Sequence, residues 1–389
     1  MNLRVGGSKH HLKLLLLVTF FFLQACSVRL PPAGVAAYEQ CDYTKAIDIF
    51  SKTKKKEKDE LLYDLAILSA AVHQGDWETA KVAGKRSQDR MWSYEGQSRG
   101  TASLISSEAL RIYKGEPFEK TMASLYLGII YFNEQDYDNA KAAFTKAMFA
   151  VQTKGEDSQA DFAAPYLLLA KTYLKLKDKE NANILLKRME KMGVKNLTLE
   201  SIQKIRTIAF IELGKGPVKF RTGPGDSLIG WQRQPYTPRT STLLIDGSPA
   251  KNAFKVDDDL TYQAQSVDRG GKETIQGTKG VLREASAVTA VIAANEAVNR
   301  KNETAGWVAL GAGLFALANQ SQADLRQWEL LPDRLDLLLT EDPVSEGRHQ
   351  FEVQFGGSFL SSSNQVWYDD RKPDLDKIYI VPSKLCNKP

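Results

Sequence analysis

Leu127-Gly128-Ile129-Ile130-Tyr131-Phe132-Asn133-Glu134-Gln135-Asp136-Tyr137-Asp138-Asn139-Ala140-Lys141-Ala142-Ala143-Phe144 is the stretch from which the architecture of the first half can be read. Leu127, Gly128 and Tyr131 fall on one helix, and Ala140, Phe144 and Ala147 on the next. The small Gly128 and Ala140 let two helices approach, while Tyr131 and Phe144 fill the space between pairs. The same signature, an Asp, usually an aromatic, and an Ala four residues after the Asp, recurs along the chain. It reads Asp42-Tyr43 with Ala46, Asp76-Trp77 with Ala80, Asp136-Tyr137 with Ala140, and Asp178-Lys179 with Ala182. Around the fourth copy Tyr166, Leu169, Ala170, Tyr173 and Leu186 repeat the spacing, with a polar Lys179 in the aromatic position.

Asp42 and Asp76 lie 34 residues apart, and these spacings resemble tetratricopeptide repeats. The later intervals are longer, 60 residues to Asp136 and 42 more to Asp178. Residues 101–113 read as a further helical stretch, closed by Lys114-Gly115-Glu116-Pro117, and 153–159 as a polar loop. Pro31-Pro32 leaves little room before Asp42, so the first copy is expected to be a half-repeat. The resemblance implies stacked helix pairs to about Leu213, with a concave face that binds a protein partner. Transferring the consensus lines that groove with His73, Phe132, Asn133, Lys171 and Lys175. The Asn and Lys would take a carboxylate or an acidic segment and Phe132 would be an apolar anchor. The alternative is that the second half of the chain covers this face.

From Gly214 the composition changes. Gly214-Lys215-Gly216-Pro217, Gly223-Pro224-Gly225 and 235–238 break any helix, so 214–240 reads as a linker or loop. Strand-like runs follow at 241–246, 334–340, 348–355 and 377–381, the third alternating His349, Phe351, Val353 and Phe355 with polar residues. Between them, at about 260–325, sits a helical insertion with an Ala-rich stretch at 281–298 and an apolar run at 305–318. The expected fold is α+β: a signal peptide (1–25), a helical-repeat domain (26–213), a linker (214–240), and a β-sandwich-like domain with the helical insertion (241–389).

The length of 389 residues suits two or three domains, and 43% hydrophobic with 25% charged residues excludes collagen, a disordered tail and a polytopic membrane protein. The first 25 residues hold Arg4, Lys9 and Lys13 and no acid, followed by the apolar run 14–23, too short to span a bilayer. That is a secretory signal. Most of the formal charge of +5 belongs to it, so the mature chain has no electrostatic footprint for nucleic acid. Leu23-Gln24-Ala25-Cys26 resembles the bacterial lipobox, which implies acylation of Cys26 and anchoring without a membrane helix. Ser27 after it favours, by the same resemblance, the outer membrane, with the protein facing the periplasm. Cys41 and Cys386 are then the remaining thiols, and in an oxidising compartment they are a disulfide candidate, the other reading being two unrelated thiols.

Three further blocks stand out: Gly115-Glu116-Pro117-Phe118-Glu119-Lys120, the Gly-x-Gly-Pro-x-Lys junction at 214–219, and Ala323-Asp324-Leu325-Arg326-Gln327-Trp328-Glu329-Leu330-Leu331-Pro332. With the lipobox and irregular repeats they resemble a family of functionally uncharacterised proteobacterial lipoproteins. That resemblance implies no catalytic activity and hints at an accessory role in envelope and peptidoglycan synthesis. The mature chain has two histidines, His73 and His349, for any zinc site or Ser-His-Asp triad. Ser51-Lys52-Thr53-Lys54 matches the Ser-x-x-Lys of penicillin-binding enzymes, and Ser362-Ser363-Asn364 mimics their second motif, but no Lys-Thr-Gly or Lys-Ser-Gly exists. Gly214-Lys215-Gly216 lacks the length and ending of a P-loop. Asp257-Asp258-Asp259 and Asp369-Asp370 lack EF-hand spacing, and Lys52, Lys54, Lys55, Lys56 and Lys58 form a basic run. The expectation is therefore a membrane-anchored periplasmic lipoprotein that acts as a protein-binding scaffold in envelope assembly, without cofactor or metal. The alternative is an envelope or peptidoglycan-acting enzyme with an Asp/Glu site in the second half.

Overall fold

Each of the four Asp signatures marks a corner between two helices in the computed structural model. The model describes residues 29–93, 112–151, 162–223, 228–235, 240–250, 254–266, 323–341, 344, 347–356, 363–370 and 376–382. The pairs are Pro32–Glu39 (α1) with Tyr43–Lys52 (α2), Glu60–Gln74 (α3) with Trp77–Ser93 (α4), Pro117–Asn133 (α5) with Tyr137–Val151 (α6), and Ala163–Lys175 (α7) with Lys179–Lys191 (α8).

All four corners are built alike. The Asp carboxylate accepts from the amide three residues on, at Lys45, Thr79, Asn139 and Asn181. Its own amide closes the preceding helix on the carbonyls of Ala37, Ala71, Tyr131 and Tyr173. That closure needs a left-handed residue just before the Asp, which is Cys41, Gly75, Gln135 or Lys177, with φ between 61° and 78°. The Ala four residues after the Asp is fully buried in every copy. At Gly128 an added Cβ would lie 2.4 Å from the Phe144 ring, so α5 and α6 cross too closely even for alanine. Gly34 lies under Phe50 in the same way. The first copy, expected as a half-repeat, is therefore a true pair with a short first helix of 8 residues.

After Leu199–Lys204 (α9) come Thr207–Leu213 (β1), Val218–Thr222 (β2), Leu228–Gln232 (β3), Thr240–Ile245 (β4), Ser248–Pro249 (β5), Phe254–Asp259 (β6), Leu260–Ser266 (α10), Arg334–Thr340 (β7), Gly347–Gly356 (β8), Ser363–Asp370 (β9) and Lys377–Pro382 (β10). One sheet has the order β10-β1-β7-β6, with β1 parallel to β10 and antiparallel to β7. A second runs β5-β4-β8-β9, and β2-β3 form a ribbon. Every residue of β1 is buried. Ile208 and Phe210 belong to the core that continues through all four helix pairs. Ala209, Ile211 and Leu213 belong to another core, shared with Leu243 and Phe351 of the second sheet. There Phe351 stacks on Tyr379 with ring centroids 4.5 Å apart.

The structure corrects two boundaries. A helical domain reaching 213 would include β1, which is an inner strand of the first sheet. A strand buried on both faces shows no alternation, so its apolar run reads equally well as helix. The expected linker at 214–240 holds the β2-β3 ribbon. Its glycines serve close approach: Gly214 has φ 71°, and a Cβ on Gly216 would lie 2.9 Å from the Leu331 carbonyl oxygen. The four expected strands fall within β4, β7, β8 and β10. β6 escaped notice because its sequence, Phe-Lys-Val-Asp-Asp-Asp, is charged. Of the helical insertion, α10 lies at its start and 323–328 is not helical, while 267–322 lies outside the described residues, as do 1–28, 101–111 and 153–159.

Asp258, at the end of β6, caps α7 by accepting from the amides of Ala163 at 2.7 Å and Ala164 at 2.8 Å. Burial pushes its carboxyl up to about 7 against those two donors, with Asp257 and Asp336 adding to the rise. A folded-state value raised from 3.8 means that the native protein holds this proton more tightly than the unfolded chain. The group's contribution to stability is therefore complete below 3.8 and declines as the pH climbs to about 7. Urea unfolding across that range should show this decline in the natural protein and a flatter profile in Asp258→Asn; identical slopes would refute the assignment. Separately, Gly128→Ala should lower stability by about 1–3 kcal/mol, because the Phe144 ring has to move.

Candidate functional site

The three unusual sequence blocks meet in one buried cluster. Glu119, fully buried in the first turn of α5, accepts from the Tyr113 hydroxyl and the Glu116 amide with one oxygen, both at 2.6 Å, and from the Trp328 amide with the other, also at 2.6 Å. Lys219, from β2, pairs with Glu116 at 2.6 Å and donates to the Arg326 carbonyl at 2.7 Å. Its ammonium lies 5.2 Å from the Trp231 ring centroid. Arg326 reaches Asp59 at 2.8 Å and Asp324 at 2.7 Å, and the Trp328 indole donates to Ser69 at 2.9 Å. Burial raises the Glu119 carboxyl above its ordinary range although Lys219 opposes it. Burial also works against the Lys219 charge, but Glu116, Glu119 and Asp324 outweigh it and lift the ammonium above its usual value. Two cations and four carboxylates thus interlock, and the cluster fastens the helices to the second half.

The expected groove residues meet the chain's own sheet. His73 stands between the Tyr38 hydroxyl at 2.9 Å and Glu212 of β1 at 2.7 Å, and the other Glu212 oxygen accepts from the Tyr126 hydroxyl at 2.5 Å. This Tyr-His-Glu-Tyr chain looks catalytic on paper. Burial, reinforced by Glu212, pushes both phenols well above their ordinary range. Phe132 is buried with its ring edge-on to Tyr137. The Asn133 side-chain amide donates to the Ile378 carbonyl at 2.8 Å and accepts from its amide at 3.0 Å, serving β10 as a neighbouring strand would. Lys171 bonds the carbonyls of Ile202 and Ile205 and pairs with Asp376 at 2.8 Å, which also takes Lys175 at 2.5 Å and Arg206 at 3.0 Å. Each of the five residues expected in a partner groove thus has a contact within the chain, and the acid that meets Lys171 and Lys175 is Asp376. Apolar residues of the helix pairs and of the first sheet share one core.

An open recess of about 560 Å³ remains at the rim, where the α3-α4 corner, the end of α5 and β10 meet. Trp77, Glu78, Glu134, Lys377 and Tyr379 line it. Glu134 is held by Lys81 at 2.5 Å, while Glu78 is exposed. A narrow crevice brings Pro382 beside Tyr38 and Glu39. Cys41 is buried and disulfide-bonded, and Cys26 and Cys386 lie outside the described residues. Asp259 caps α10 and pairs with Arg233, and His349 pairs with Asp246 at 2.7 Å. Among the described residues no group of three or more His, Cys, Asp and Glu is placed to hold a metal ion, and no helix is long and apolar enough to cross a membrane.

Sequence reasoning singled out Glu119 and Arg326 through their blocks, but it missed Glu212 and Asp376, whose partners lie far away in the chain. No protein-family model matches the chain, and no curated protein matches it.

Removing one partner of a buried ion pair strands the other. Lys219→Ala should therefore cost about 3–5 kcal/mol in urea unfolding. Adding Glu116→Gln to that variant should recover part of the loss, and strictly additive losses would show that the two side chains are not coupled.

Proposed function

We propose that this protein is a lipid-anchored scaffold that faces the periplasm and holds a protein partner in cell-envelope assembly. In this reading the four helix pairs are a tetratricopeptide-like solenoid, and the two facing sheets are a β-sandwich-like domain that closes it. Cys26 carries the lipid in the outer membrane. Cys41 pairs with Cys386, a bond favoured by the crevice that brings Pro382 beside Glu39, with only four residues from Pro382 to Cys386. The likeness to uncharacterised envelope lipoproteins supports the role in envelope or peptidoglycan assembly.

The observation that carries the reading is the open rim recess of about 560 Å³ on a cross-braced frame. Its chemistry differs from that expected of the groove. Lys171 and Lys175 are taken by Asp376, whereas the rim presents Trp77 with exposed Glu78, together with Glu134, which Lys81 already pairs, and Lys377. The partner segment that suits it places a basic side chain beside an apolar one.

A photoreactive amino acid placed at Glu78 should give a covalent partner adduct in cells, and the same probe at buried Lys171 should give none. Glu134→Lys in the Glu78 probe strain should weaken the adduct severalfold. Absence of any adduct at Glu78, or its persistence unchanged with Glu134→Lys, would remove the recess from the function.

A further inference from the structure

We infer that the end of the first helix pair, with Arg29, Lys52, Lys54 and Lys56, is a second membrane contact that lays the protein's body directly on an anionic phospholipid surface. The inference rests on the acylation of Cys26 proposed above for its geometry, but its charge chemistry can be tested without it.

The first observation is the absence of slack between lipid and fold. Leu30 is 2% exposed, and its amide bonds the half-buried Glu329 carboxylate, so the chain is fixed to the body from that point. Cys26 precedes it by four residues, a reach of at most about 14 Å even when fully extended. A body tethered so closely cannot stand off from the bilayer, and the surface around Leu30 must face the headgroups.

The second observation is what occupies that surface. α1 and α2 are antiparallel, and Gly34 near the start of α1 lies against Phe50 near the end of α2. The end of α2 is thereby set beside the point where the N-terminal segment leaves the body. The residues that follow are the basic run. It is pinned in place: Lys55 donates to the Phe50 carbonyl and lies 5.1 Å from the Tyr63 ring centroid, and the Lys58 carbonyl accepts from Tyr113 and Arg326. Arg29, Lys52, Lys54 and Lys56 are exposed. The acids at this end include Asp48, which pairs with Lys52, exposed Glu57, Asp59 paired with Arg326, Glu60 paired with Arg90, and Glu329 beside Arg29. The remaining lysines project from a fixed segment with their charges available to lipid phosphates. The acyl chains implied at Cys26 hold the protein to the bilayer, and a basic patch beside them adds attraction to anionic headgroups. Each basic residue at an anionic surface is worth about 1 kcal/mol, or about fivefold in partitioning.

The test uses the purified protein, with the state of Cys26 read by mass spectrometry, in phosphatidylcholine vesicles with and without phosphatidylglycerol. Labelling of Lys54 and Lys56 by an amine-reactive reagent should slow severalfold in the anionic vesicles. Lys179, exposed at the corner of the last pair, should be labelled at an unchanged rate, and high salt should abolish the difference. Equal labelling of Lys54 and Lys56 in both vesicles would overturn the inference. A missing acyl group would defeat the anchor and leave the charge contact to a second arm. In that arm the unacylated mature chain with Cys26→Ser is sedimented with phosphatidylglycerol vesicles. Lys54→Gln with Lys56→Gln should reduce its binding by about tenfold or more. Unreduced binding would overturn the inference whatever the state of Cys26.

Discussion

The interior strand Thr207–Leu213 is the constraint on which the rest of the structure depends, because it has to be covered on both faces. A solvated strand alternates apolar and polar residues, but this one has no exposed side. Its Ile208 and Phe210 join the core of the helix pairs, and its Ala209, Ile211 and Leu213 join that of the second sheet. Neither half could hide its apolar surface without the other. The helical half and the strand-rich half are therefore joined by a shared core rather than by a linker, and separating them would expose both.

Apolar contact alone would leave the angle between helices and sheet poorly determined, since packing of this kind has little directionality. The polar ties supply the direction. Glu212 reaches from β1 to His73 on α3 and Tyr126 on α5, Asn133 holds the edge of β10, and Asp376 gathers Lys171, Lys175 and Arg206. At the other end Glu119, Lys219 and Arg326 do the same for the ribbon and the Trp328 segment. Desolvating so many ions costs much of what their pairing returns, so their contribution is more to one defined arrangement than to net stability.

This arrangement bears on function. Without Asp376, Lys171 and Lys175 would have offered a site for acids. Closed by its own sheet, the molecule turns a different chemistry outward, an aromatic and acidic rim recess. A run of exposed basic residues lies beside the N-terminal segment. In the proposed reading the two surfaces divide the work, one toward a protein and one toward lipid.

Local features were legible in the sequence. The four Asp corners, the buried Ala after each, the tight Gly128–Phe144 crossing and four strands follow from interactions within a few residues or one helix pair, where spacing alone carries the information. The three blocks that form the buried cluster were visible as oddities, though not as partners. What only the tertiary structure decided is which charges meet. His73 with Glu212, Lys171 with Asp376 and Glu116 with Lys219 are each separated by a hundred residues or more. A lone His or Lys on a helix face looks the same in sequence whether it awaits a ligand or already has a carboxylate from the far end of the chain. The strand β1 was hidden for a related reason. Burial on both faces removes the alternation that marks a strand, and that burial exists only once the whole chain has folded around it.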